Sequence, residues 1–289
     1  MIFDPPDWAT YELAIMRGLL FLVLVRMIPS APPRQGPTRP VGLARLIDLS
    51  GLDGRIYAAL RVGLAPAGVL FVIAATAPFG AAYLAIVVVL SVTLESSQGS
   101  MDHGRHLPMV AVVAQFAGGV GYGLADLLDW QPSSLILHDA GRTMTWWTVQ
   151  ATMAAYFVSG VSKLARSGFM WVGEAHHLAV TTVARAETGL LDQPRRTDRR
   201  DRAARIAGGL SSHRLIAMLV FGGGLWLELA APFALVNRVT LLVGGLAFIA
   251  LHRSIGVFLL LPFRRYQWTL LIFFVNVPYL VVEAVGLLG

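Results

Sequence analysis

Apolar residues come in long blocks along this chain, and charged residues gather between them. The blocks lie at roughly 9–28, 56–76, 78–95, 106–128, 144–165, 213–235, 238–261 and 267–287. A helix needs about 20 apolar residues to cross the hydrocarbon layer. The pattern therefore predicts an all-α, polytopic transmembrane helical bundle of about eight helices, in one domain over 1–289. Ala77-Pro78-Phe79-Gly80 reads as the turn between the second and third blocks. The first eight residues are acidic and proline-rich, not basic, so the first span is expected to be retained. No repeat of 20–50 residues is visible.

Two polar segments, 29–55 and 166–212, interrupt the blocks. The first holds Pro29, Pro32, Pro33, Pro37 and Pro40 with Arg34, Arg39, Arg45 and Arg55. The second is read as an interfacial helix over 169–184, then an arginine run of Arg195, Arg196, Arg199, Arg200, Arg202 and Arg205, as a solvated loop or a surface helix against anionic lipid. Both follow odd-numbered spans, as do Arg105 and the pair Arg264 and Arg265. The arginine bias places those loops in the cytoplasm and both termini outside.

Composition agrees. Hydrophobic residues make up 56% of the 289 and charged residues 14%, against about a quarter charged in soluble domains. Mean hydropathy is +0.64. The pI near 10.2 is not read as nucleic-acid binding, because the basic residues sit in loops and line no single soluble face. Cysteine is absent, which excludes disulfides, thiolate chemistry and cysteine-ligated zinc.

Against this background a few polar residues inside the blocks stand out. Lys163 is the one lysine, in Tyr156-Phe-Val-Ser-Gly-Val-Ser-Lys-Leu164. A lysine near a span end can snorkel to the interface. It can also act as a base, because desolvation disfavours a charged amine and lysine, unlike arginine, can lose its proton. Glu228 lies inside a span, where a carboxylate costs about 2–4 kcal/mol on insertion scales; a hydrogen bond between helices and a functional role are both open. His252 lies deep in the next span, as a structural hydrogen-bonding group or as a donor or relay. His103 and His106 sit at the mouth of the fourth span, with Glu95 just before, as an interfacial polar cluster or as site groups. Gly222, Gly223 and Gly224 suit close helix packing, as does Gly119-Val-Gly-Tyr-Gly123. Glu174 and His177 have a metal-ligand spacing but form a single copy, so no metal is expected.

Together these residues resemble the membrane domain of the vitamin K-dependent γ-carboxylase family, also called HTTM. Tyr156-Phe-Val-Ser-Gly-Val-Ser-Lys-Leu164, followed by Trp171, is similar to the family's Y-F-x-A-G-V-x-K-L segment and its downstream tryptophan. Gly222-Gly-Gly-Leu-Trp-Leu-Glu228 is similar to its G-G-G-L-L-L-D block, and His252 follows Glu228 at the family's acid-to-histidine spacing. Met101-Asp-His103 is similar to its N-N-H segment. The resemblance covers about residues 9–275.

It implies a catalytic group of Lys163, His252, Glu228 and His103, with Lys163 as the base that activates the quinol. It also implies a cofactor site at Gly222, Gly223, Gly224, Tyr156 and Trp171. The implied cofactor is reduced vitamin K or menaquinol, with oxygen and carbon dioxide as co-substrates. The expected partners are membrane lipid and a small peptide substrate, not nucleic acid, and the expected location is the bacterial cytoplasmic membrane. The chain departs from the pattern at Phe221, where the family has histidine, and in offering no segment for the peptide-binding extramembrane domain. The alternatives are an SdpB-like maturation or export factor for a small secreted peptide, and a non-catalytic quinone- or lipid-binding protein.

Overall fold

The computed structural model describes residues 5–30, 41–47, 49, 54–97, 103–130, 138–167, 170–174, 201, 205–206, 208–209, 212–258 and 263–286. Among them the regular elements are all helical. In order these are α1 (Thr10–Val25), α2 (Gly54–Val62), α3 (Leu64–Val72), α4 (Ala77–Ser97), α5 (His106–Leu127), α6 (Ala140–Ser167), the short α7 (Met170–Gly173), α8 (Arg214–Leu229), α9 (Arg238–Phe258), α10 (Arg264–Leu270) and α11 (Val277–Gly286). Each block read from the sequence contains helix. Most of the proposed interfacial helix and of the arginine run lies outside the described residues.

Four helical segments are long and apolar enough to cross a membrane: Gly54–Val72, Ala74–Ser97, His106–Leu127 and Arg238–Gly256. A fifth is the bent pair Arg264–Val275 and Val277–Val285. The chain thus has the character of an integral membrane protein. Its outward side chains agree: Leu219, Trp226, Phe233 and Val239 are about 70% exposed, which lipid tolerates and water does not. The other three blocks fall short of the eight-span expectation for different reasons. α1 and α8 have 16 residues each. α6 is long, with 28 residues, but polar.

The polarity of α6 has a pattern. Thr145, Thr148, Thr152, Tyr156, Ser159 and Lys163 recur at intervals of three and four, so they share one face. The first four are buried. α6 packs against α5, α8, α7 and α1, so this polar stripe faces protein and not lipid, as an intramembrane polar face must.

Two blocks are broken. Within Gly54–Val72, the hydroxyl of Tyr83 donates to the carbonyl of Leu60 at 2.7 Å and lies where a Cβ on Gly63 would sit, so the helix divides there. In the last block the chain passes through a π-helical turn, Leu271–Val275, to Asn276 in the left-handed region (φ 53°), and the axis bends by 54°. Pro278 lacks an N–H and is suited to a first helical turn. Asn276 caps α11 by accepting from the Tyr279 backbone N–H at 3.2 Å, while its amide donates to the buried Glu12 at 2.6 Å. The single span expected at 267–287 is therefore two half-helices joined at a capping asparagine.

Candidate functional site

The segment Ser159-Gly160-Val161-Ser162-Lys163 lies in the last turns of α6, against the C-terminal end of α8. A Cβ on Gly160 would come within 3.1 Å of both Glu228 Cβ and Leu229 Cδ2. The missing side chain allows the two helices to approach, and Lys163, three residues on, then lies beside Glu228. Its Nζ donates to Glu228 Oε1 and Oε2 at 2.5 Å each. The carboxylate side chain is 7% exposed and the lysine side chain 27%. The amine is therefore bonded directly to one of the groups expected to accompany it. Each ion is the other's partner, which an uncompensated charge at this depth requires. Trp171 of α7 stands 5.5 Å from the ammonium, measured to the ring centroid, within cation–π range.

Two turns before Lys163 on α6, the Tyr156 hydroxyl and His252 Nε2 of α9 are 2.6 Å apart. Both residues are buried. Tyr156 stacks on Phe248 at 4.0 Å, and His252 stacks on Phe263 at 4.7 Å with the edge of Tyr266 at 5.0 Å. His252 Nδ1 has no hydrogen-bond partner. A buried ring nitrogen without one is uncommon and calls for explanation.

The two pairs share one cavity of about 240 Å³. Its polar lining comes from His106, Tyr156, Ser159, Lys163, Glu228 and His252; Phe263 and Tyr266 supply aromatic walls. An ion pair, a phenol and an imidazole on three helices thus face one cavity. Chemically this set can hold a proton on Glu228 or Lys163, donate or accept through Tyr156 and His252, and pack a flat ring.

Other residues singled out from the sequence are placed differently. Gly222 and Gly224 are packing positions: added Cβ atoms would meet Val172 at 3.0 Å and Leu251 at 2.8 Å. Gly223 has nothing within 4 Å. None of the three lines the cavity. Trp171 touches the site through the Lys163 amine and is not in the cavity wall. His103 is in a 3-10 turn, His103–Arg105, that leads into α5; its side chain lies outside the described residues, and His106 is the histidine that reaches the cavity. Glu95 pairs with Arg105 at 2.7 Å, which supports the interfacial reading for that acid. Among the described residues no group of acids and histidines could hold a metal ion, and His177 lies outside them. Phe263, Tyr266 and Ser159 were not singled out. For Ser159 a signal existed in its spacing of four from Lys163; an aromatic in an apolar chain gives none.

Compared with protein-family models, curated proteins and solved structures, the chain matches none of them significantly.

Proposed function

We propose that this chain is a membrane-embedded, quinol-dependent enzyme of the vitamin K-dependent γ-carboxylase type, with the Lys163–Glu228 pair as its proton-handling centre. The observation that carries the reading is convergence. Lys163, Glu228, His252 and Tyr156 come from three helices and up to 96 positions apart, yet they line one aromatic-walled cavity.

The lining suits a quinone headgroup. The cavity is smaller than the ~300–1,000 Å³ of sites that enclose a whole drug-sized ligand. A ring would fit there, with the isoprenoid tail left in the membrane. His252 Nδ1 offers an unused hydrogen-bonding position, and the Tyr156, His252, Phe263 and Tyr266 rings offer stacking. A bound quinol would supply, with oxygen, the strong base needed to take a proton from a weakly acidic carbon.

The chain's own part is proton transfer and orientation. The pair shares one proton. When it rests on the Glu228 carboxylate, Lys163 Nζ carries a lone pair and can accept a proton from a ring hydroxyl in the cavity. With that proton on Lys163 as an ammonium, Glu228 gives up its own carboxyl proton to solvent at the open side of the cavity, and the ion pair is restored. Tyr156 fixes the His252 ring through Nε2, so Nδ1 is held for the ligand. The aromatic walls shield the buried Tyr156 and His252 from water, which strengthens the hydrogen bond between them.

Lys163→Arg tests this reading, because arginine keeps the ion pair and the charge but cannot serve as a base. Reduced menaquinone or vitamin K is supplied under oxygen, and oxidised and epoxide products are quantified by chromatography. The proposal requires turnover by the native chain and loss of about 100-fold or more in Lys163→Arg, the scale of general-base catalysis, with quinone binding retained. One observation favours a second reading: Lys163 and Glu228 already satisfy each other. A non-catalytic quinone-binding protein of this build would bind the ring in both forms and turn over in neither.

A further inference from the structure

A second concavity, of about 450 Å³, lies between α1 and the first half of the last bent span. Leu19, Leu22 and Val23 of α1 and Arg26, its C-cap, line it at helical spacing; across from them are Arg264, Arg265, Trp268, Leu271 and Ile272. The lining is polarised along its length. Arg26 ends α1, and Arg264 and Arg265 begin α10, so the guanidiniums gather at one mouth. Below them the walls are apolar over the seven residues back to Leu19, about 10 Å of helix.

Among the described residues Arg26 and Arg264 have no ion pair and no side-chain hydrogen bond, and no acidic residue lines the groove. The two like charges of Arg26 and Arg264 repel until an anion lies between them. Arginine forks bind a phosphate bidentately. A free phosphate would use the mouth alone and leave the apolar wall unfilled. A zwitterionic headgroup would bring an ammonium toward the same guanidiniums. Trp268, half-exposed, has the amphipathic ring that settles at headgroup depth.

We propose that this groove is a binding site for one anionic phospholipid, with its phosphate on Arg26 and Arg264 and an acyl chain along Leu19, Leu22, Leu271 and Ile272. The inference does not depend on the enzymatic reading, since the groove and the Lys163 cavity share no lining residue.

The test is native mass spectrometry of the full chain released from detergent and titrated with dioleoyl phosphatidylglycerol or dioleoyl phosphatidylcholine. Phosphatidylglycerol should be retained about tenfold more tightly, the weight of one or two charge-assisted bonds. Arg26→Gln with Arg264→Gln should bring it down to the phosphatidylcholine level. Arg166→Gln, an exposed arginine outside the groove, should leave it unchanged. Leu22→Trp, which fills the apolar wall without altering charge, should weaken retention. Equal retention of the two lipids overturns the site, as does an equal loss in Arg166→Gln. Competition by glycerol phosphate at the same concentration as the lipid would make it a headgroup-only anion site and overturn the lipid assignment.

Discussion

Substituting the two ions singly and together gives a prediction with a sign that depends on the geometry. Removing one partner of a buried pair costs about 3–5 kcal/mol, because the remaining charge is left uncompensated. Here the two ions are unequally buried, with side-chain exposures of 27% for Lys163 and 7% for Glu228. Lys163→Met strands the more buried carboxylate and should cost the upper figure, about 4–5 kcal/mol. Glu228→Leu strands an amine that still reaches solvent and should cost less, about 1–3 kcal/mol. The double variant replaces both with apolar groups of similar volume and should come within about 1–2 kcal/mol of the native chain. The coupling is therefore at least about 3 kcal/mol in favour of the pair. Thermal unfolding in detergent, followed by fluorescence of the 7 tryptophans, reads it. At roughly 2–4 °C per kcal/mol for a chain of this size, Lys163→Met should lower Tm by about 8–20 °C, and the second substitution should restore most of the loss. Additive losses, or two neutral single variants, would refute a buried, mutually dependent pair.

Other positions carry their own expectations. Gly160→Val should lower stability by about 1–3 kcal/mol, the scale of overpacking; it should also separate Lys163 from Glu228, so its loss should shrink in the Lys163→Met, Glu228→Leu background. Tyr156→Phe leaves the second ring nitrogen of His252 without a partner and should cost about 1–3 kcal/mol in the same unfolding assay. Asn276→Gly keeps the left-handed backbone but removes the bonds to Glu12 and Tyr279, and should cost about 1–3 kcal/mol; Asn276→Val adds backbone strain and should cost more. The chain has no cysteine, so single cysteines report topology directly. Leu46→Cys, which follows α1, and Leu127→Cys, at the end of α5, should react with a membrane-impermeant maleimide from opposite sides.

The site was legible where it broke the apolar background. Lys163, Glu228 and His252 are visible because ionisable residues inside hydrophobic blocks are costly, and the structure places all three on one cavity. Their grouping was expected from the resemblance, but the bonding between them was not legible: the approach of α6 to α8 at Gly160 makes Glu228 the direct partner of the Lys163 amine. Phe263 and Tyr266 carry no contrast in a chain so rich in apolar residues, so the aromatic wall was invisible. The same holds for helix arrangement. When lipid and protein interior are equally apolar, hydrophobic periodicity no longer says which face packs where. Only the polar stripe on α6 kept a readable face. The break at Asn276-Val277-Pro278 had a signal in its proline, but the uninterrupted apolar run around it outweighed that signal.

The proposed function requires a quinone ring among Tyr156, His252, Phe263 and Tyr266, beside the Lys163–Glu228 pair. Photo-crosslinking with an azido-naphthoquinone, followed by peptide mapping, reads that position. Adducts are expected on the α6 segment around Tyr156 and on the His252 and Tyr266 segments, suppressed by unlabelled menaquinone and reduced in Tyr156→Phe. Adducts confined to the groove at Arg26 and Trp268, or spread along the lipid-facing residues of α8 with no competition, would contradict it.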